Sequence, residues 1–213
     1  MSVEVLGKVG EQDLTKGVTA APALSRFGQL VIQESFASAV ERGRVFSVCN
    51  QVGVTSQAGL SATTPVLTLY NPAGSGVTGR LWHVTANLAV ANAAAATVYL
   101  CVGTNTVAAT TTGTITTAHR CLKLGGITPS SQGNRVVALL AATLPAAPVA
   151  VDVLGVGLTS AITVFPAIPA MTTCYFGALL IQPGTNVSIQ TSTASGANGL
   201  WCAYVWEEVD LIA

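Results

Sequence analysis

The sequence predicts an all-β protein, a two-sheet sandwich of jelly-roll type behind an extended N-terminal arm. Three observations carry this. Runs of β-branched and aromatic residues recur over short spans, turns rich in Gly, Pro and Asn separate them, and the charges crowd outside the patterned region.

The arm comes first. Ten of the eighteen charged residues, Glu4, Lys8, Glu11, Asp13, Lys16, Arg26, Glu34, Glu41, Arg42 and Arg44, fall in the first 44 positions. From Val45 to Trp206 only Arg80, Arg120, Lys123, Arg135 and Asp152 follow, before Glu207, Glu208 and Asp210. This contrast places an arm at residues 1–43 and a sandwich body at residues 44–213. Within the arm, Leu24 to Val40 has a short amphipathic pattern with Phe27, Leu30, Val31 and Phe36 apolar. Ordering such a segment costs about 1–2 kcal/mol per residue, so a partner surface is expected to compensate.

In the body, strands are expected at Arg44–Cys49, Pro65–Tyr70, Leu81–Thr85, Ala96–Val102 and Asn186–Thr191. Asn71–Gly76, Gln182–Thr185 and Ser195–Gly199 supply turns between them. The Ala-rich stretch Ala91–Ala96 lacks a polar face and reads as a loop or strand edge rather than a helix.

Composition bounds the function. Only 8% of residues are charged and the formal net charge is zero, against about 25% charged in ordinary soluble domains. Nucleic acid and anionic membrane surfaces are therefore not expected partners. A body so poor in charge is expected to bury its surface against copies of itself. Ala86–Gly103 and Val136–Met171 are long enough to span a bilayer. Pro145, Pro148, Gly155, Gly157, Pro166 and Pro169 break the second, and both favour Ala, Thr and Val, so no membrane span is expected. Glu4, Lys8 and Glu11 interrupt the region where a secretory leader would need an apolar stretch, which points to folding in a cytoplasm.

Groupings that carry chemistry are thin. Cys49, Cys101, Cys121, Cys174 and Cys202 are widely spaced and odd in number, as buried free thiols would be. His83 and His119 have no carboxylate neighbour in sequence. Gly74-Ser-Gly76 reads as a turn, and Asn186-Val-Ser188, though a glycosylation triplet, reads as strand. Glu207 and Glu208 point to opposite faces of a strand and read as carboxylates at a solvated terminus, not as an acid and base pair. Trp82, Trp201, Tyr204 and Trp206 read as core or interface anchors before a sugar platform. No catalytic residue, cofactor or metal is expected, and the chain is not expected to be an enzyme.

Several of these segments together resemble a group of tailed-bacteriophage virion proteins. They are Phe27-Gly-Gln-Leu-Val31, Arg42-Gly-Arg-Val-Phe46, Asn50-Gln51, Ala58-Gly-Leu60, Leu67–Tyr70 and Asn71–Gly76, with Gln182-Pro-Gly184 and Trp206-Glu-Glu208 near the other end. The likeness covers both ends and not the middle, and its motifs are structural. It implies a capsid decoration, or cement, protein: a homotrimeric β-sandwich on the virion head surface, assembled in the host bacterial cytoplasm and bound to the major capsid protein. The chain departs from the group at Ala37-Ser-Ala39, where many relatives carry a Tyr pair. On this reading Phe27, Leu30, Arg42, Arg44 and Phe46 are expected as capsid contacts of the arm. Trp201, Tyr204, Trp206 and Glu207 are expected at the subunit interface or as anchors of the last strand. A tail, collar or fibre-base protein is the alternative, and a carbohydrate-binding module a remote one.

Overall fold

The structure is a computed structural model that describes residues 8–9, 23–24, 35–88, 94–105, 110–116, 118–123, 135–157, 171–195 and 199–211. The chain forms two compact units, Met1–Ala39 and Val40–Ala213; the sequence reading drew its boundary after residue 43. In the first unit, β1 (Lys8–Val9) and β2 (Ala23–Leu24) pair in parallel. Helix α1 (Ser35–Glu41) takes up the end of the amphipathic segment.

The second unit is built from β3 (Val45–Cys49), β4 (Thr68–Asn71), β5 (Val77–Leu88), β6 (Ala96–Thr104), β7 (Thr112–Ile115), β8 (Arg120–Cys121), β9 (Val137–Thr143), β10 (Val149–Gly157), β11 (Met171–Ile181), β12 (Thr185–Thr191) and β13 (Leu200–Asp210). They form two antiparallel sheets, ordered β11-β5-β13-β3-β8 and β10-β6-β12-β4-β9-β7. With β7, β8 and β9 set aside, the other eight strands alternate between the sheets in chain order, except where β10 folds back on β6. Strand orders β11-β5-β13-β3 and β10-β6-β12-β4 are those of a jelly roll.

Period-two alternation turns one face of each sheet inward. Leu81, Val84, Ala86 and Leu88 from β5 and Leu200, Cys202, Tyr204 and Trp206 from β13 meet Val98 and Leu100 of β6 and Val187 and Ile189 of β12. Full burial of each such aliphatic side chain contributes about 1.5–3 kcal/mol. The turn from β11 to β12 closes with the Thr185 N–H donating to Gln182 O at 3.0 Å. Pro183 sets its first corner, and Gly184 at φ 82° takes the left-handed second corner that a type II turn requires.

The polar face of β12 is covered as well. Gln190 exchanges hydrogen bonds with the Ser61 backbone, its Oε1 accepting at 3.1 Å and its Nε2 donating at 2.9 Å. Thr191 reaches Ser56 Oγ at 2.6 Å, and Ser56 and Ser195 exchange two bonds of 2.9 Å. The loop between β3 and β4 thus lies along β12 and satisfies groups that burial would otherwise leave unpaired. Asn186 of the glycosylation triplet is fully buried in this strand.

The two edges of the sandwich are treated differently. The chain between β6 and β10 adds β9 beside β4, β7 beside β9, and β8 beside β3, so one insertion extends both sheets at the same edge. At the opposite edge, β10 ends one sheet and β11 ends the other. Among the described residues no strand pairs with either outer side.

Candidate functional site

The open β10/β11 edge is the most distinctive surface of the body. Val149, Val151, Val153 and Val156 of β10 are between 49% and 66% exposed, beside Leu180 and Phe176 of β11. The step from 153 to 156 follows from bulges in β10 between Ala150 and Asp152 and between Val153 and Gly155, which change which residues face out. Gly155 has turned inward, where a Cβ would lie 2.8 Å from Met171 Sδ. Bulged edges are poor templates for adding another strand. What this edge presents is apolar side chains.

Phe176 stands out furthest, at 75% exposed. In β11, Cys174 pairs with His83 and Leu179 with Leu81, so Tyr175–Ala178 bulge out opposite Trp82 alone. Phe176 and Gly177 both take positive φ, 51° and 78°. For a residue with a Cβ that conformation costs about 1–2 kcal/mol. The chain therefore spends stability to hold a phenyl ring in solvent, and strain of this kind concentrates at working sites.

Asp152 is the one charged residue of β10 and β11, and Tyr175 Oη donates a short hydrogen bond to its Oδ2. Its Oδ1 accepts from the Val153 N–H at 2.8 Å. Burial first, then this bond and the Asp152 charge, push the Tyr175 phenol upward. The pair ties one sheet to the other at the open edge. Alongside lies a groove of about 490 Å³ whose walls include Val102, Val149, Val151, Leu179, Leu180 and Val187.

The residues singled out from sequence fall elsewhere. Phe27 and Leu30 lie outside the described residues. Arg42 is exposed just after α1. Arg44 Nη2 instead meets Glu207 Oε1 at 3.4 Å. Phe46, expected to touch a capsid, is corrected by its burial: its ring stacks on Trp206 with centroids 5.7 Å apart, inside the core. Trp206 and Tyr204 are fully buried anchors of β13, and Tyr204 Oη donates to Leu67 O at 3.0 Å. Burial drives the Tyr204 phenol well above its ordinary range. Neither ring is available to a sugar, and Trp201 alone of the β13 aromatics reaches the surface.

The expectation of a solvated carboxylate pair is also corrected. Glu207 and Glu208 are 4% and 5% exposed. They do face opposite ways, Glu207 toward Arg44 and the Trp82 indole N–H at 3.4 Å. Glu208 Oε1 accepts from the Arg135 and Val136 backbone N–H groups, each at 2.9 Å. Glu208 is walled in where the residues leading into β9, a strand that the pattern of the sequence did not reveal, reach this end of β13.

Three of the five thiols, Cys101, Cys121 and Cys202, are buried, and burial pushes Cys101 up to about 12. Cys49 is half-buried and Cys174 exposed. Among the described residues no group of three His, Cys, Asp or Glu side chains is placed to hold a metal ion, and no helix is long and apolar enough to cross a membrane.

The exposed valines and Phe176 escaped the sequence reading because the outward positions of Val149–Gly157 and Met171–Ile181 are filled largely by apolar residues, so the wet side carries no polar signature. The usable signal was the Phe176-Gly177 step, since a glycine inside a strand-forming run marks a bulge. No protein-family model, curated protein or solved structure matches this chain.

Proposed function

We propose that this chain is a structural subunit of a virus particle, a decoration or cement protein on the head of a tailed bacteriophage. The observation that carries the reading is the open β10/β11 edge, where uncharged Val, Leu and Phe side chains stand in solvent on a body nearly free of charge. Exposed apolar patches of several hundred Å² mark interaction surfaces. A subunit that never leaves its assembly can carry one without precipitating.

The jelly roll agrees with this role by analogy, since it recurs in capsid proteins. The resemblance at both ends of the chain supports reading the particle as a tailed-bacteriophage head. In this reading the body meets copies of itself as a homotrimer, and the charged N-terminal arm meets the major capsid protein. Tail, collar and fibre-base subunits could be built from the same sandwich, and stoichiometry separates them from a head protein.

Quantitative gels of purified particles are expected to give hundreds of copies per head; a handful per particle would move the protein to the tail. Particles lacking it should release DNA at a lower temperature, and unchanged release would remove the cementing role. Deleting Met1–Glu41 is expected to abolish particle binding while leaving a soluble oligomer. Decoration by the truncated protein would show that the arm is not the attachment element.

A further inference from the structure

We infer that Phe176 anchors the contact between copies of this chain, its ring entering the β10/β11 groove of a neighbouring copy. The inference rests on the reading that the protein self-assembles, and it names the residue and the receptor.

The neighbour is a second copy for three reasons. Knob and receptor lie on the same edge of one molecule, so copies set around a rotation axis beside that edge each seat a ring in the groove of the next. Of the residues of β10 and β11 only Asp152 is charged, and Tyr175 engages it; the Arg80 side chain of β5 packs beside Gly177, and copies of zero net charge do not repel one another. Both edge strands are bulged, which disfavours continuation of a sheet by a foreign strand and leaves side-chain packing as the mode of contact.

The dimensions suit a ring. A cavity of about 150 Å³ lined by aliphatic groups holds a benzene molecule, and the groove offers about 490 Å³. Phe176 would lose from water roughly 150 Å², most of what an aromatic side chain presents. Its backbone is already fixed in the protruding conformation by the Phe176-Gly177 pair of positive φ values, so little ordering is needed on contact. Buried, pre-organised aromatic anchors are the usual hot spots of such interfaces.

The test uses the full-length protein in light scattering over a dilution series. Phe176→Ala is expected to weaken self-association by about 30-fold or more, the fold-change that corresponds to a hot spot of about 2 kcal/mol. Val151→Glu, which places a charge in the groove, should do the same. Because Phe176 is exposed and strained, Phe176→Gly is expected to raise the melting temperature of the dissociated chain while still blocking assembly. If Phe176→Ala associates like the wild type while the wild type is oligomeric, the anchor is refuted and self-assembly stands. A wild type that stays monomeric at every concentration overturns both, including the case in which Phe176 docks on a different protein.

Discussion

Replacing Trp206 with alanine is expected to lower the unfolding free energy by about 3–5 kcal/mol, the range for removing a fully buried large aromatic. For a chain of this size that corresponds to a fall in melting temperature of roughly 6–20 °C. The side chain is 0% exposed in the middle of the inner face of β13, packs on Phe46 from β3, and donates its indole N–H to Glu208 Oε1 at 3.4 Å. Its loss removes a stack between adjacent strands, a hydrogen bond and the filling of the core at once. Trp206→Phe keeps most of the packing and should cost clearly less. Denaturant melts of the two variants separate these contributions; equal losses would mean that the indole N–H, not the ring, carries the effect.

Glu208 is expected to dominate the pH dependence of the fold. Burial is the largest influence and raises its carboxyl above the ordinary 4.5, while the N–H groups of Arg135 and Val136, the Trp206 indole and the Arg135 charge pull it partly back. A folded value above the unfolded one means that folding favours the protonated form. The stabilising contribution of Glu208 is therefore fully present below about pH 4.5 and is lost as pH rises through the folded value. The gap in unfolding free energy between wild type and Glu208→Gln should be widest in acid and narrow toward neutrality. A gap that widens with rising pH would show that the hydrogen bonds outweigh burial. Glu208→Ala is expected to cost about 3 kcal/mol at neutral pH, because the N–H groups where β9 approaches lose their acceptor beside β13.

Much of the sandwich was legible in advance for a local reason. β3, β6 and β12 begin and end within two residues of the runs read from sequence, since β-branched residues gather there; β3 and β6 alternate between a wetter and a drier side, while β12 is buried on both. The Gln182–Thr185 turn declares itself through Pro183 and Gly184. Where alternation fails, so does the reading. β10 and β11 carry mostly apolar side chains on their wet side, β7 and β8 are too short to show a period, and the five-residue run at Leu81 is part of a strand of twelve, Val77–Leu88. The candidate site suffered most, because its defining residues lie on those unpatterned strands.

Arg44, Phe46 and Glu207 illustrate the limit. Charge and position along the chain placed them with the arm and the terminus, yet β3 pairs with β13 in a register that sets Phe46 opposite Trp206 and Val45 opposite Glu207. A residue near one end is thereby locked to one near the other, a contact that no local pattern encodes.

Composition and periodicity alone settle that this chain is an all-β protein poor in charge, because those properties depend only on which residues are neighbours along the chain. Which apolar residues stay in water is decided by the fold. The insertion between β6 and β10 extends the edge at β3 and β4, leaves the edge at β10 and β11 open, and a bulge at Phe176 turns its ring outward. These are pairings between distant segments, and only the folded chain specifies them.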